Sequence, residues 1–249
     1  MTTKDFVLIA KLAQDVERFD DMKNAMKKFV IEMFMNNNNS NKQELTIEER
    51  DLLIISYKQV VAKHRKSLRF IRAKFTNAHR NRFGKLIINY FEQIENELKS
   101  VITEFIELLE KYLLPSTQKN LESKCLYLKL KSDFLRYLLD LETNNEFEKQ
   151  ILKTQTHLAF KSSFEFIKSN LDACNPIRLG LALSYSNYFY EILLMPEHAC
   201  ELAKEAFDSA LMDMELVENN QKRADCKLFI QLLRDNLILW TQFFDESNK

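Results

Sequence analysis

The stretch NPIRLGLALSYSNYFYEIL, residues 175–193, decides the fold. Asn175 is suited to cap the N-terminus of a helix, and Pro176 is tolerated at the first helical position because no partner is needed for its missing N–H. Beyond them, apolar residues recur at helical spacing, which predicts one amphipathic helix. The apolar stripe of this predicted helix consists of Ile177, Leu181, Tyr185, Tyr188 and Ile192.

A second face of the same predicted helix, here named the polar lane, consists of Gly180, Ser184, Asn187 and Glu191. Positions i, i+4, i+7 and i+11 lie on one side of a helix. Gly180 is one of two glycines in 249 residues, and a glycine inside a helix costs roughly 1 kcal/mol relative to alanine. We therefore expect a neighbour that leaves no room for a side chain there. Spacing alone favours close helix packing over a binding role.

Composition predicts an all-α chain, because two glycines and three prolines supply few turns for a sheet protein. Periodicity predicts nine helices whose short connections imply an antiparallel bundle. Thr46 followed by Glu49 predicts a capping box at the start of the third helix. We interpret residues 1–243 as a single domain, with a low-complexity loop at 36–44 and a short tail at 244–249. The predicted helices span residues 3–17, 20–34, 46–78, 82–113, 119–141, 145–169, 176–193, 197–218 and 222–243.

The sequence contains no catalytic, cofactor or metal motif, so we expect neither an enzyme nor a cofactor nor a metal site. The cysteines show no metal-type spacing and are expected to be reduced, as in an intracellular protein. This favours the cytoplasm, with the nucleus as a further location. No run of 18 apolar residues occurs, so no membrane span is expected. The four cysteines are Cys125, Cys174, Cys200 and Cys226.

Positive charge is concentrated in one part of a chain that is balanced overall. The chain has 36 Lys and Arg residues against 36 Asp and Glu residues, but residues 52–91 hold ten basic residues and no acidic one. Such a bias predicts that an anion meets part of this surface.

The spacing of the basic residues favours a phosphate as that anion. Lys58, Arg65 and Arg69 share one face of the third predicted helix, and Lys129 and Arg136 share one face of the fifth. Arginine presents a bidentate fork to phosphate, and lysine adds a point charge. Two such rows facing each other would suit a phosphate monoester, which carries a charge of about −1.5 to −2.

The last predicted helix carries an apolar stripe with one amide in it. Phe229, Leu232, Asn236 and Trp240 lie at i, i+3, i+7 and i+11. By spacing alone such a stripe is typical of a hydrophobic core.

Several long segments resemble the 14-3-3 family when taken in order. They are YKQVV (57–61), YLKLKSDFLRYL (127–138), the 175–193 stretch, MPEHACELAKEAFDSA (195–210) and QLLRDNLILW (231–240). The resemblance runs from about residue 4 to residue 242. It implies an all-helical, nine-helix dimer with a concave amphipathic groove in each protomer, which binds phosphoserine or phosphothreonine segments of client proteins.

The resemblance also implies roles for individual residues. The phosphate-binding set is Lys58, Arg65, Arg136 and Tyr137. The peptide groove comprises Lys129, Leu183, Ser184, Asn187, Glu191, Phe229, Leu232, Asn236 and Trp240. The dimer interface includes Arg18, Asp21, Tyr90 and Glu97, with Arg18 and Glu97 as an ion pair between subunits. A homodimer is expected, with a heterodimer with a paralogue as an alternative.

Departures from the family pattern indicate a divergent member. Ser184 replaces an asparagine that clamps the peptide backbone, and Asn187 replaces a small aliphatic residue. Because serine lacks the paired donor and acceptor of an amide, Ser184→Asn is expected to tighten binding. Gln93 replaces a lysine partner of Asp21. Ser67 follows three basic residues and is a candidate phosphorylation site that would favour monomers.

Two other functions remain open from the sequence. One is a helical scaffold that binds unphosphorylated peptides. The other is a nucleic-acid or anionic-membrane binder that uses residues 52–91, for which binding would fall steeply with salt. The phosphate-site interpretation accounts for part of that basic stretch, so no specific nucleic-acid partner is expected.

Overall fold

The computed structural model describes residues 2–35, 44–74, 83–118, 120–141, 145–214 and 220–247. Within these ranges the regular secondary structure is helical and no strand occurs, which confirms the all-α prediction. Most of the predicted loop at 36–44 lies outside the described residues. The helices are α1 (Thr3–Asp15), α2 (Phe19–Met35), α3 (Ile47–Lys74), α4 (Gly84–Leu108), α5 (Leu121–Leu139), α6 (Glu146–Asn170), α7 (Pro176–Tyr188), α8 (Pro196–Met214) and α9 (Asn220–Ser247).

Two helices continue into π-helical segments. The segment after α4 is Leu109–Leu113, followed by one further turn, Leu114–Ser116. The segment after α7 is Phe189–Leu193, and Leu194 then adopts a left-handed backbone with φ of 55°. The chain reverses there into α8. The last helix, α9, continues to Ser247 and so includes four residues of the predicted tail.

The helix starts form as the sequence predicts. The backbone N–H of Thr46 donates to Glu49 Oε2 at 2.8 Å, and that of Glu49 donates to Thr46 Oγ1 at 3.3 Å, so the capping box is confirmed. Asn175 Oδ1 accepts from the backbone N–H of Ile177 at 2.9 Å. Pro176 is the first residue of α7, which confirms the predicted start.

The described residues form two compact units, and each is described by itself. The first unit comprises Met1–Gln118 and Tyr137–Asn144. The second comprises Lys119–Arg136 and Asn145–Lys249. In the first unit α1 packs on α2, α2 on α3 and α3 on α4, and in the second α7 contacts α6, α8 and α9.

A network of charged and polar side chains lies beside the core of the first unit. Tyr57 is fully buried and stacks on Phe105 with ring centroids 4.5 Å apart. Its hydroxyl donates to Glu104 Oε1 at 2.6 Å. Glu104 also accepts from Lys23 at 3.2 Å and Lys27 at 2.5 Å. This carboxylate therefore ties α2, α3 and α4 together.

The core of the second unit is built on the apolar stripe of α7. Leu181, Tyr185 and Tyr188 are at most 5% exposed. Phe160 of α6 stacks on Tyr185 with ring centroids 5.2 Å apart. With this stripe buried, the polar lane lies on another side of α7. Among the described residues, no helix is both long and apolar enough to cross a bilayer.

Candidate functional site

In the first unit, Arg65 of α3 lies against Tyr137 of α5. Its guanidinium carbon is 4.4 Å from the centroid of the Tyr137 ring, and its Nη2 donates to Asp140 Oδ2 at 2.6 Å. Stacking and a charge-assisted hydrogen bond together fix the plane of the guanidinium. Lys58 is exposed on α3, two turns before Arg65. The first unit therefore holds an oriented arginine beside Tyr137, and the family resemblance implies phosphate binding for both residues.

In the second unit, two side chains approach Gly180 on the polar lane. A Cβ atom on Gly180 would lie 2.9 Å from Lys129 Cε and 3.3 Å from the ring of Phe229. Lys129 Nζ in turn donates to Asp133 Oδ2 at 2.5 Å. The missing side chain of Gly180 thus allows α5 and α9 to bring a basic and an aromatic side chain onto α7. This agrees with the expectation of close packing at this glycine.

Two turns along the lane from Gly180, two amide side chains meet. Asn236 Nδ2 of α9 donates to Asn187 Oδ1 of α7 at 2.8 Å. Exposure rises along the lane, from buried Gly180 through half-buried Ser184 and Asn187 to exposed Glu191. The lane therefore opens toward solvent at its C-terminal end, where polar side chains are accessible to a ligand.

At the open end of the lane, Arg136 of α5 lies near Glu191. The distance from Arg136 Nη1 to Glu191 Oε2 is 3.5 Å, and the side chain of Arg136 is 15% exposed against 55% for Glu191. Glu191 is thus a loosely held partner of a largely covered guanidinium. Arg136 directly precedes Tyr137 in α5, so the covalent chain itself keeps these two predicted phosphate-binding residues adjacent.

The apolar stripe of α9 is not the core face that its spacing alone indicated. Trp240 is buried and stacks on Tyr190 with ring centroids 4.8 Å apart, but Leu232 is 39% exposed and Phe229 is only half-buried. The core face of α9 is instead formed by Cys226, Ile230, Leu233 and Trp240. Most of the stripe therefore lines a partly open surface, and Leu183 of α7 is likewise half-buried.

The predicted interface residues lie in the first unit and make contacts within the chain. Arg18 Nε donates to Asp21 Oδ2. Glu97 accepts from Gln93 Nε2 at 2.9 Å, and its other oxygen is 3.5 Å from His64 Nε2. Tyr90 is 55% exposed. The predicted ion pair of Arg18 with Glu97 across a dimer stays a prediction.

Two contacts were not anticipated from the sequence. Asp140 orients Arg65, and Asn187 bonds to Asn236. A weak signal for the first was available: residues 52–91 hold no acid, so any carboxylate partner of Arg65 had to come from another helix. No sequence signal predicts the second contact, because it joins two residues that are 49 positions apart on different helices.

Basic, amide and half-open apolar side chains of the kinds described in each unit suit contacts with an anionic peptide segment. The comparison with known proteins agrees. The chain belongs to the 14-3-3 family, whose family model, described as "14-3-3 protein", matches residues 9–241. Proteins of this family are phosphopeptide-binding adaptors and not enzymes.

Similar proteins carry the same family name. The chain is 41% identical over 245 residues to 14-3-3 protein beta/alpha of Homo sapiens, covering 97% of this chain and 93% of that protein. It is 42% identical over 246 residues to the Mus musculus protein of that name, with the same coverage. A 14-3-3 protein of Eimeria tenella is 41% identical over 245 residues, covering 96% of this chain and 87% of that protein.

Proposed function

We propose that this chain is an adaptor that binds client segments carrying phosphoserine or phosphothreonine. The phosphate is bound by Lys58, Arg65, Arg136 and Tyr137. Charge-assisted hydrogen bonds contribute roughly 1.5–3 kcal/mol each, so a few of them account for a binding free energy of about −8 kcal/mol, which corresponds to micromolar affinity.

The observation that carries the proposal is the set of partners along the polar lane. Gly180 admits Lys129, Asn187 meets Asn236, and Glu191 lies near Arg136. The exposed carboxylate of Glu191, 3.5 Å from the covered guanidinium of Arg136, suits exchange for a dianion, because a long ion pair to an exposed carboxylate contributes little.

The remaining groove residues contact the segment on either side of the phosphate. Asn236 hydrogen-bonds its backbone, and Trp240, Leu183, Phe229 and Leu232 contact its flanking side chains. Three of these apolar side chains are at least half-buried while Leu232 is 39% exposed. That exposure leaves apolar surface for a ligand to cover, which stabilises the complex by roughly 25 cal/mol for each Å² buried.

We also propose a homodimer formed through the first unit. Leu8 and Leu12 of α1, and Val16 directly after its end, are spaced by four residues and are 57–63% exposed. On α4, Leu86 and Tyr90 are 68% and 55% exposed. Exposed apolar side chains that lie next to one another on a helix mark protein interfaces.

The inter-subunit contacts extend from that apolar surface to the charged residues beside it. In the dimer, Arg18 pairs with Glu97 of the second copy, and Asp21 lies in the same interface. A paralogue that presents the same surface could replace the second copy in a heterodimer.

We place the protein in the cytoplasm, with access to the nucleus, and assign it no catalytic activity of its own. The free cysteines fit a reducing compartment.

Two alternative functions have less support. A scaffold for unphosphorylated peptides gives no role to the oriented Arg65. A general anion binder through residues 52–91 is weakened by pairing within the first unit, where Lys63 lies 3.1 Å from Asp20 and Arg65 lies 2.6 Å from Asp140. These two carboxylates, which come from outside residues 52–91, neutralise part of the positive charge that the stretch presents.

Alanine variants test the assignment of the phosphate site. Calorimetric titration of a phosphoserine peptide should show affinity reduced at least tenfold by Arg65→Ala and by Arg136→Ala, because each removes a charge-assisted contact. Lys66→Ala is the matched control, since Lys66 is an exposed basic neighbour outside the proposed set. Equal affinity for all four proteins, or an equal loss in the control, would rule out this site.

A further inference from the structure

We propose that Cys174 and Cys226, here named the thiol pair, are a modification site at which a peroxide forms a disulfide between them. Cys226 Sγ donates to Cys174 Sγ at 2.9 Å, and both residues are free cysteines. Their spacing in the sequence does not indicate the pair, because 52 positions separate its members. The inference goes beyond the proposed function and does not depend on peptide binding.

The thiol pair lies in the second unit, where three segments of the chain meet. Cys174 directly precedes Asn175, which caps α7, and Cys226 lies in the second turn of α9. Cys174 Sγ also donates to the backbone carbonyl of Ala210 in α8 at 3.1 Å. A bond between the two sulfur atoms would therefore tie α9 to the start of α7, beside α8.

The two sulfur atoms are close for atoms that are not bonded to each other. Even carbon atoms, which are smaller than sulfur, are about 3.5–4.0 Å apart in van der Waals contact. A disulfide bond is about 2.05 Å long, so the sulfur atoms have to approach by only about 0.9 Å more. The folded chain thus already holds the thiol pair in position for bond formation.

Burial sets the rate at which the thiol pair is oxidised. Cys174 is 5% exposed and Cys226 is 0% exposed, so an oxidant reaches Cys174 first. Burial also raises the pKa of the Cys174 thiol to about 12, which leaves little of the reactive thiolate near neutral pH. We therefore expect the pair to stay reduced in a reducing compartment and to be oxidised slowly when peroxide persists.

The oxidation balances with a peroxide as the oxidant. The Cys174 thiolate attacks one oxygen of hydrogen peroxide, the O–O bond breaks, and the leaving hydroxide takes up the thiol proton as water. The Cys174 sulfur is then a sulfenic acid. Cys226 Sγ attacks this sulfur, the S–O bond breaks, and the hydroxyl leaves with the Cys226 proton as a second water. The two thiols lose two electrons, and the peroxide gains them.

The disulfide should stabilise the second unit, because it closes a loop of 52 positions in the unfolded chain. It also lies close to the polar lane. Phe229, one turn after Cys226, has its ring 3.3 Å from the position that a Cβ on Gly180 would occupy. The bond therefore restrains α9 next to the point where it packs on α7.

Peroxide treatment of a two-cysteine variant tests the inference. Cys125→Ala/Cys200→Ala leaves the thiol pair as the only cysteines. After treatment of the folded protein, the intact mass should fall by two hydrogen atoms, and alkylation in urea should find no thiol. A peptide map should join the peptides that contain Cys174 and Cys226. The oxidised form should unfold at a temperature at least about 5 °C above that of the reduced form.

Cys174→Ala/Cys200→Ala is the matched control. It also retains two thiols, and its cysteines, Cys125 and Cys226, are both 0% exposed. The control should form no disulfide within the chain and show no rise in the unfolding temperature. A peptide map of the oxidised wild-type protein makes the test independent of any substitution.

Four results would overturn the inference. Both thiols could remain open to alkylation after prolonged treatment, or Cys174 could gain oxygen atoms without a link to Cys226. A link that forms equally in the control would mean that it arises in unfolded molecules. A link without a rise in the unfolding temperature would show that the bond does not tie the folded helices together.

Discussion

Gly180 and Lys129 are packed so closely that a Cβ on Gly180 would lie 2.9 Å from Lys129 Cε. Gly180→Ala gains roughly 1 kcal/mol of helix propensity but displaces the end of Lys129, which Asp133 holds at 2.5 Å. We expect the free energy of unfolding to change by less than about 1 kcal/mol. Phosphopeptide affinity should fall because Lys129 is moved.

A double-mutant cycle checks this explanation of Gly180→Ala. In Lys129→Met, which removes the ammonium group, adding Gly180→Ala should cause no further loss of affinity by calorimetry. An additive loss would mean that Gly180 acts through Phe229 or the helix backbone instead of through Lys129.

Asp140 positions Arg65, and its removal should weaken phosphopeptide binding. Asp140→Ala removes this hydrogen bond but keeps the stacking on Tyr137, so we expect affinity to fall by about threefold to tenfold, the scale of one ordinary hydrogen bond. The alternative, that Asp140 competes with phosphate for Arg65, predicts tighter binding. Isothermal titration calorimetry decides between the two signs.

The Glu104 network should make the first unit sensitive to acid. Burial raises the pKa of Glu104, but the hydrogen bonds from Lys27, Tyr57 and Lys23, together with the charge of Lys23, outweigh it. The pKa of Glu104 therefore lies below its ordinary value. A carboxylate whose pKa falls on folding adds stability above its unfolded pKa, about 4.3, and this stability is lost as the pH falls through the folded pKa.

Urea denaturation of Glu104→Gln measures that contribution. At pH 7 the variant should be less stable by about 1–2 kcal/mol, because glutamine leaves two lysines without a carboxylate. The difference should shrink as the pH is lowered below about 4. A difference that stays constant from pH 7 to pH 3.5 would show that the effect is packing and not charge.

The exposed apolar face of α1 should hold two copies together. Leu12→Glu places a charge in the proposed interface and should shift the protein from dimer to monomer in sedimentation equilibrium. Leu158→Glu is the matched control, because Leu158 of α6 is exposed to a similar degree, 58% against 57% for Leu12. Dissociation by both variants, or by neither, would argue against an interface on α1.

Local features of the fold were predictable from the sequence because their causes are local. The capping box at Thr46 and the start of α7 at Asn175 follow from side chains within three residues of the backbone they cap. The close packing at Gly180 could be expected as well, because a glycine inside a helix is destabilising and a neighbour that leaves no room for a side chain explains its presence. The identity of its neighbours could not be predicted, because Lys129 and Phe229 come from other helices.

The errors and omissions have a shared physical cause. Periodicity identifies which residues share a helix face, but not whether another element covers that face. Phe229 and Leu232 therefore fitted a core stripe, although the structure leaves them partly open. The hydrogen bond between Asn187 and Asn236 was missed for a related reason: a contact between helices depends on how they are packed, and an isolated asparagine gives no signal of it.

The most direct test of the central claim is a calorimetric titration of the wild-type protein with a phosphoserine peptide and its unphosphorylated twin. The phosphorylated peptide should bind with micromolar or tighter affinity, about −8 kcal/mol, and the twin at least a hundredfold more weakly, because it lacks the dianion that the proposed site contacts. Equal affinity for the two peptides would contradict the account.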